Sequence, residues 1–268
     1  SYVTLDALGY ITRRNMEVLD YGMRAYWNFD QEPYYYYYYA QDVSGNGYSA
    51  YASGNPGIVP GPDGFGQALY FNGVNDYINI GRDFYFGTGA FTLICWYQGE
   101  QSRNNVGLMG VSPYPYTSGY AIETQYVALQ SCVNNDMDAS PVTVNDNQWY
   151  RLAMVREGSE GSMYLFQEND LNPDTDELQY GSTYGTSPDP VDTYGSFFIG
   201  GWGHMYRLAQ GALDDVRVYG TALSGLEIYA QTILAPGTGR ISAYNVELYA
   251  NSGVDMGLGT VETMHVSN

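Results

Sequence analysis

Lysine is missing from this chain of 268 residues: the ten basic side chains are all arginine, against 29 acids, for a net charge of −19. The acids are an ordinary share for the length, so the imbalance comes from absent cations. Clustered Lys and Arg are what nucleic acid or an anionic membrane surface requires, and Arg13–Arg14 is the only adjacent basic pair. Neither partner fits. Two cysteines cannot build a disulfide framework; Cys95 and Cys132 either stay two thiols or close one bridge. Cys95, beside Trp96, reads as a small apolar strand residue. With two histidines, His204 and His265, and no Gly-x-Ser-x-Gly, a serine triad lacks its parts. No run approaches the ~18–20 apolar residues of a membrane span. The stretch SYVTLDALGYITRRN has no signal-type apolar centre, so a leader has been removed or export proceeds without one.

What is abundant is tyrosine (30) and glycine (33). Tyr serves strands and recognition surfaces alike, because a rigid amphipathic ring has little entropy to lose. Short runs rich in β-branched and aromatic residues recur between Gly-, Pro-, Asn- and Asp-rich turns, with almost no helical spacing, which describes an antiparallel sandwich. The stretch QGALDDVRVYGTALSGLEIYAQ, residues 210–231, organises the rest: a strand, a break at Gly220–Thr221, and a short helix opened by Ser224 and Glu227 as a capping box. Asp214 and Asp215 are neighbours in that strand. Alternation places one of them inward, where a carboxylate needs a partner.

Several phrases resemble the laminin-G-like branch of the concanavalin A-like jelly rolls. They are Trp27-Asn28-Phe29-Asp30, the loop DVSGNG from Asp42 to Gly47, GFGQALYFNG from Gly64, AFTLICW before Tyr97, QWYRLA from Gln148, FFIGG from Phe197, and the 210–231 stretch. The resemblance covers about residues 22–231 and implies an all-β, concanavalin A-like (laminin-G-like) antiparallel β-sandwich jelly roll with very little helix. Residues 1–21 then form an N-terminal arm or attachment segment, and residues 232–268 a C-terminal strand extension. It also implies a calcium position: Asp42, Asn46 and Asp214 stand at family positions for oxygen donors. Asp214 either shares a structural calcium with that loop or accepts hydrogen bonds from its backbone.

The fold hosts lectins, glycosidases, adhesion modules and structural proteins, so function must come from sites. Glycosidases need two carboxylates on one strand face, and no alternating acidic run is present. The first expectation is therefore a non-catalytic, surface-displayed recognition or adhesion module for glycan, with Tyr114, Tyr116, Tyr180, Tyr184, Tyr194 and Trp202 as aromatic platforms. The second is a structural subunit of an extracellular assembly, such as a virion decoration or cell-surface appendage protein. There Leu8, Ile11, Met16 and Leu19, with Tyr34, Tyr36 and Tyr38 on one side of the Tyr34–Tyr39 run, would contact neighbouring subunits, in a homo-oligomer or larger assembly. A glycoside hydrolase or lyase ranks third. Each reading places the chain outside the cell, at a cell surface or at a virion surface.

Overall fold

The computed structural model describes residues 22–31, 38–62, 65–82, 84–100, 106–111, 119–125, 128–134, 136–144, 147–167, 180–186, 188–191, 195–201, 207–225 and 227–228. Its strands, numbered in chain order, form two eight-stranded antiparallel sheets. The first sheet runs β14 (Tyr180–Gly185), β13 (Glu160–Gln167), β12 (Trp149–Glu157), β7 (Phe91–Gly99), β16 (Gln210–Tyr219), β5 (Gln67–Asn72), β4 (Gly57–Pro60), with β1 (Met23–Trp27) also paired to β16. The second runs β11 (Asp136–Thr143), β10 (Ala128–Val133), β9 (Tyr120–Gln125), β8 (Gly107–Val111), β15 (Phe198–Ile199), β6 (Tyr77–Asn79), β3 (Ala50–Ser53), β2 (Tyr39–Ala40).

Alternation along each strand decides what lies between the sheets. Leu93, Cys95 and Tyr97 of β7, Leu152 and Met154 of β12, and Leu213, Val216 and Val218 of β16 face Leu108, Ile122 and Leu129 of the second sheet. Aromatic rings fill the middle. Trp27 stacks on Phe197 at 6.2 Å between centroids, Phe86 on Phe91 at 4.6 Å, and Phe84 meets Phe197 edge-on at 5.0 Å. Both cysteines are buried thiols. Cys95 belongs to this core, whereas Cys132 alternates to the far side of the second sheet, so no bridge joins them.

The expected neighbours β1 and β16 do pair, with Trp27 opposite Val216 and Tyr26 opposite Arg217. The facing of the two acids corrects the sequence reading. Asp214 pairs with Trp96 and Arg217 with Ile94, so Asp215 and Val216 together oppose Cys95, and Asp215 has φ 49°. This bulge, two residues against one, restarts the alternation. Both carboxylates therefore leave the core and face outward, with Val216 pointing in. The bulge also marks where β16 changes partner, from β5 at Gln210–Leu213 to β1 at Val216–Tyr219.

Past β16 the chain turns at Gly220 into the capped helical turn at Gly225 and Glu227–Ile228. The Ser224 backbone N–H donates to Glu227 Oε2 at 2.7 Å, and the Glu227 N–H donates to Ser224 Oγ at 3.3 Å. Ser224→Ala is expected to cost about 0.5–1 kcal/mol of unfolding free energy in urea titrations, with Ser224→Asp restoring it.

Candidate functional site

Two polar constellations stand out, both on outer faces of sheets. The first lies on the first sheet, around the bulge. Asp215 Oδ1 accepts from Arg217 Nε at 3.2 Å and Nη2 at 2.9 Å, while Oδ2 pairs with Arg151 Nη1. The Tyr26 hydroxyl donates to the same carboxylate, and its ring covers Arg217 at 4.8 Å. All three charged groups are essentially inaccessible to water. Burial alone would raise the pKa of Asp215, but the guanidiniums of Arg151 and Arg217 together bring it below the ordinary carboxylate value. Arg151 is the less compensated cation: burial lowers its pKa despite Asp215, and its Nε and Nη2 have no partner. This is a structural charge network.

The second constellation lies on the outer face of the second sheet. In β9, Tyr120 and Ile122 point into the core, so Ala121 and Glu123 point out. In β10, Leu129 and Val133 point in, so Gln130 and Cys132 point out. The register sets Glu123 beside Gln130 and Ala121 beside Cys132. On its other side Glu123 faces Gly107. The Gly107 N–H donates to the Arg207 carbonyl at 2.8 Å, anchoring Arg207 over the sheet in a left-handed conformation with φ 57°. From there Arg207 Nη1 reaches Glu123 Oε2 at 3.2 Å.

Glu123 is 0 % exposed, and its Oε1 has no hydrogen-bond partner. Burial raises its pKa, with the attraction and hydrogen bond of Arg207 opposing the shift. The Cys132 thiol is pushed up to about 12, chiefly by burial and then by Glu123, with Arg207 opposing. That thiol is no nucleophile at neutral pH. The arrangement offers one oriented carboxylate oxygen in a water-poor setting, next to an amide. A hydroxyl or amide group brought to that oxygen would find an unpaired acceptor.

The three oxygen donors expected to share calcium do not converge. Asp42 Oδ1 accepts from Tyr26 N (3.1 Å), Ser44 N (3.0 Å) and Ser44 Oγ (2.6 Å), and Oδ2 accepts from Tyr48 N (2.9 Å). Asn46 Nδ2 donates to the carbonyls of Met23 and Arg24. The DVSGNG loop is thus a clasp on β1, closed by its own backbone. Asp214 has other neighbours: Asp215, whose N–H its Oδ1 accepts at 2.6 Å, the Gly61 backbone, Asp30 and Arg151. Among the described residues no group of three His, Cys, Asp or Glu side chains could hold a metal.

Of the aromatic candidates, Tyr184 is half-buried against the core, and its hydroxyl bonds Ser131 Oγ at 2.6 Å. It props the two sheets and is not a platform. Tyr180 begins β14, opposite Leu165. Tyr38 is corrected as a contact residue. Its ring is in the core against Phe29, and its hydroxyl donates to the Phe29 carbonyl at 2.7 Å. Its neighbour Tyr39 is the outward ring, 4.9 Å from exposed Tyr51 across the β2–β3 pair. Tyr114, Tyr116, Tyr194, Trp202, Leu8, Ile11, Met16, Leu19, Tyr34 and Tyr36 lie outside the described residues.

Sequence reasoning missed Glu123, Gln130 and Arg207. An acid on the polar side of the otherwise apolar YAIET strand was a signal, but its pairing with Gln130 depends on register. Arg207 follows Trp202, which was read only as an aromatic platform, and no motif marked the arginine itself.

No curated protein matches the chain in sequence. Among solved structures it is similar to the binding domain of Paraclostridial mosquitocidal protein 1, at 14% identity and TM-score 0.62, covering 80% of this chain and 52% of that one. It is also similar to domain 4 of AbnA, a GH43 extracellular arabinanase from Geobacillus stearothermophilus, solved in complex with arabinotriose: 18% identity, TM-score 0.56, 78% and 98% covered. The receptor binding domain of botulinum neurotoxin D follows at 12% identity and TM-score 0.55, with 80% and 53% covered. The chain spans about half the length of the first and third. At these identities the likeness is one of fold. A family model described as concanavalin A-like lectin/glucanases superfamily matches residues 72–229. The two-sheet topology and that match, over more than half of the sequence, agree: the chain belongs to the concanavalin A-like lectin/glucanase superfamily, in its laminin-G-like form.

Proposed function

We propose that the chain is a non-catalytic recognition module acting outside the cell, which binds an uncharged glycan on the outer face of its second sheet. The observation that carries this reading is Glu123: one carboxylate oxygen is held by Arg207, and the other is buried and unpaired. A sugar hydroxyl would supply the missing donor. A sialate or uronate would bring a second negative charge against Glu123, so acidic sugars are disfavoured. Glycoside hydrolysis requires a second carboxyl group about 5–9.5 Å from the first, and Glu123 is the only acid the register sets on this face among the described residues of β8, β9 and β10. Support also comes from the arabinotriose complex of the arabinanase domain and from the binding domains that share the fold.

The test is a glycan array followed by titration calorimetry. Neutral oligosaccharides are expected to bind, and sialylated ones are not. Glu123→Gln keeps an acceptor but loses the charge, and a net hydrogen-bond difference of about 1 kcal/mol predicts a roughly fivefold weaker affinity. Binding confined to acidic glycans, or unaltered by Glu123→Gln, defeats the proposal.

The alternative, a subunit of an extracellular assembly, draws on the Tyr39–Tyr51 pair. These rings are 39% and 60% exposed, on β2 at the edge of the second sheet and on its neighbour β3, and an unpaired strand edge invites a neighbour. Tyr39→Ser with Tyr51→Ser would then dissociate the assembly in light scattering and leave glycan binding untouched.

A further inference from the structure

One part of the second sheet's outer face stands open. On β2, β3 and β6 the alternate residues Ala40, Ala52 and Ile78 belong to the core, so Tyr39, Tyr51, Ser53, Tyr77 and Asn79 face outward. Tyr39 and Tyr51 are exposed, with ring centroids 4.9 Å apart. The pairing of Ala52 with Ile78 and of Ser53 with Tyr77, carried one step back along β3, sets Asn79 beside Tyr51. Tyr77 leans on Phe198 of β15, at 5.8 Å between centroids. There the open area ends. Phe198 is buried, and so are Gly110, Ala121 and Cys132, which continue its row across β8, β9 and β10.

The open area is preorganised. Tyr39 and Tyr51 brace each other, so their rings have little freedom to lose when a ligand stacks on them. Asn79 Oδ1 accepts from the Gly81 N–H at 2.8 Å, which fixes the plane of the amide and leaves Nδ2 a donor without a partner among the described residues. No residue of β2, β3 or β6 is charged, in a chain whose net charge is −19. An acidic ligand would find no cation there and would meet the repulsion of the whole chain; a basic one would find no carboxylate. Aromatic faces beside a fixed amide and phenol hydroxyls suit a neutral sugar, apolar on one face and rimmed with hydroxyls. The size of the area agrees. Strands stand ~4.8 Å apart, so it measures about 10 Å from β2 to β6 and about 7 Å from Tyr51 to Ser53. That is far below the roughly 800 Å² per partner of a specific protein contact, so a second copy of the chain would gain too little from it alone.

We propose that Tyr39, Tyr51 and Asn79 form a second saccharide site, in which the Tyr51 ring stacks on the apolar face of a neutral sugar and Asn79 Nδ2 donates to one of its hydroxyls. The proposal rests on the reading of the chain as a glycan-recognition module, but not on Glu123. That residue lies on β9, four strand spacings from β3, or about 19 Å. Two sites at that separation on one face select an extended or multivalent glycan over a single terminal sugar, because the second contact is made at the effective concentration set by the first.

The experiment uses the full chain on an array of neutral oligosaccharides, arabinotriose among them, followed by titration calorimetry with the best-bound member. Tyr51→Ser is expected to weaken binding roughly tenfold or more, the scale of an aromatic anchor. Tyr51→Phe keeps the ring and should stay within about fivefold of the parent, having lost one hydroxyl. Asn79→Asp still accepts from the Gly81 N–H but no longer donates, and should bind about fivefold more weakly or worse. These side chains are exposed, so melting should be nearly unchanged in all three. Binding that survives Tyr51→Ser and Asn79→Asp but falls with Glu123→Gln overturns this site and leaves the Glu123 reading standing. Binding that falls with Tyr51→Ser and Asn79→Asp but not with Glu123→Gln upholds this site and defeats that reading. If no neutral oligosaccharide binds, both fall. A particle that dissociates in light scattering on Tyr51→Ser, with glycan binding intact, gives the rings to a neighbouring subunit and overturns the site as well.

Discussion

Asp215→Ala is expected to lower the unfolding free energy by about 3–5 kcal/mol, the cost of breaking a buried ion pair from one side. Among the described residues Asp215 is the anion that pairs with both Arg151 and Arg217, and removing it leaves two guanidiniums together out of water. Arg217→Met should cost less, because the Arg151–Asp215 pair survives and one desolvated cation is removed. Urea denaturation with an unchanged m-value gives both numbers. A loss below about 1 kcal/mol for Asp215→Ala would mean the network is hydrated, and the charge account would fail. Because the folded pKa of Asp215 is depressed, its contribution is fully present above the unfolded value. It is lost as pH falls through the folded value, so the gap between parent and variant should close on acidification.

This network explains how far the sequence could be read. The strands were legible because residue type and turn residues act within a few positions: the β-branched and aromatic run FTLICWY declares β7 by itself. The Ser224–Glu227 box was legible for the same reason. The two adjacent acids were not. Alternation placed them on opposite faces, but a single extra residue opposite Cys95 resets the period, and no local residue announces it. Their partners are remote as well. Arg151 is 64 positions from Asp215, and Glu123 meets Arg207 across 84. A need for a partner can be inferred from a buried carboxylate; its identity belongs to strand order. Tyr38 failed differently. Six identical residues carry no phase, so only the pairing of Ala40 with Ala50 and Tyr39 with Tyr51 decides which rings turn inward.

The bulge is also where three strands are joined. β16 gives its free edge to β5 before the bulge and to β1 after it, and the ends of those two strands meet at Asp30 and Gln67, whose N–H donates to Asp30 Oδ1 at 2.9 Å. Between them the turn at residues 61–66 closes with the Gly61 N–H on the Gly66 carbonyl at 2.9 Å. Gly66, at φ 79°, backs directly onto the Asp30 carboxylate. A methyl at Gly61 would lie 2.8 Å from Asp214 Oδ2. The two acids at this joint, Asp30 and Asp214, both have pKa values raised by burial first. Burial at the joint thus favours the neutral form of both carboxyls.

Asp214→Asn should therefore stabilise the protein at pH 8. The sign follows from proton counting. A carboxyl whose folded pKa is raised keeps its proton in the native state after the unfolded chain has released it. Unfolding free energy then falls as pH climbs from the unfolded value toward the folded one, and stays low above it. Asparagine resembles the neutral acid and removes that slope. An unpaired buried polar group costs about 1–3 kcal/mol, and more when charged, so the variant should gain about 1–3 kcal/mol over the parent at pH 8. Near pH 4 the two should converge. Asp215, with its pKa displaced the other way, sets the opposite slope, so two adjacent residues divide the pH dependence between them. Paired urea titrations from pH 4 to pH 8 measure it. An Asp214→Asn protein less stable than the parent at pH 8 would show that the ionised carboxylate is compensated, and the joint would then have to be rebuilt around a bound cation.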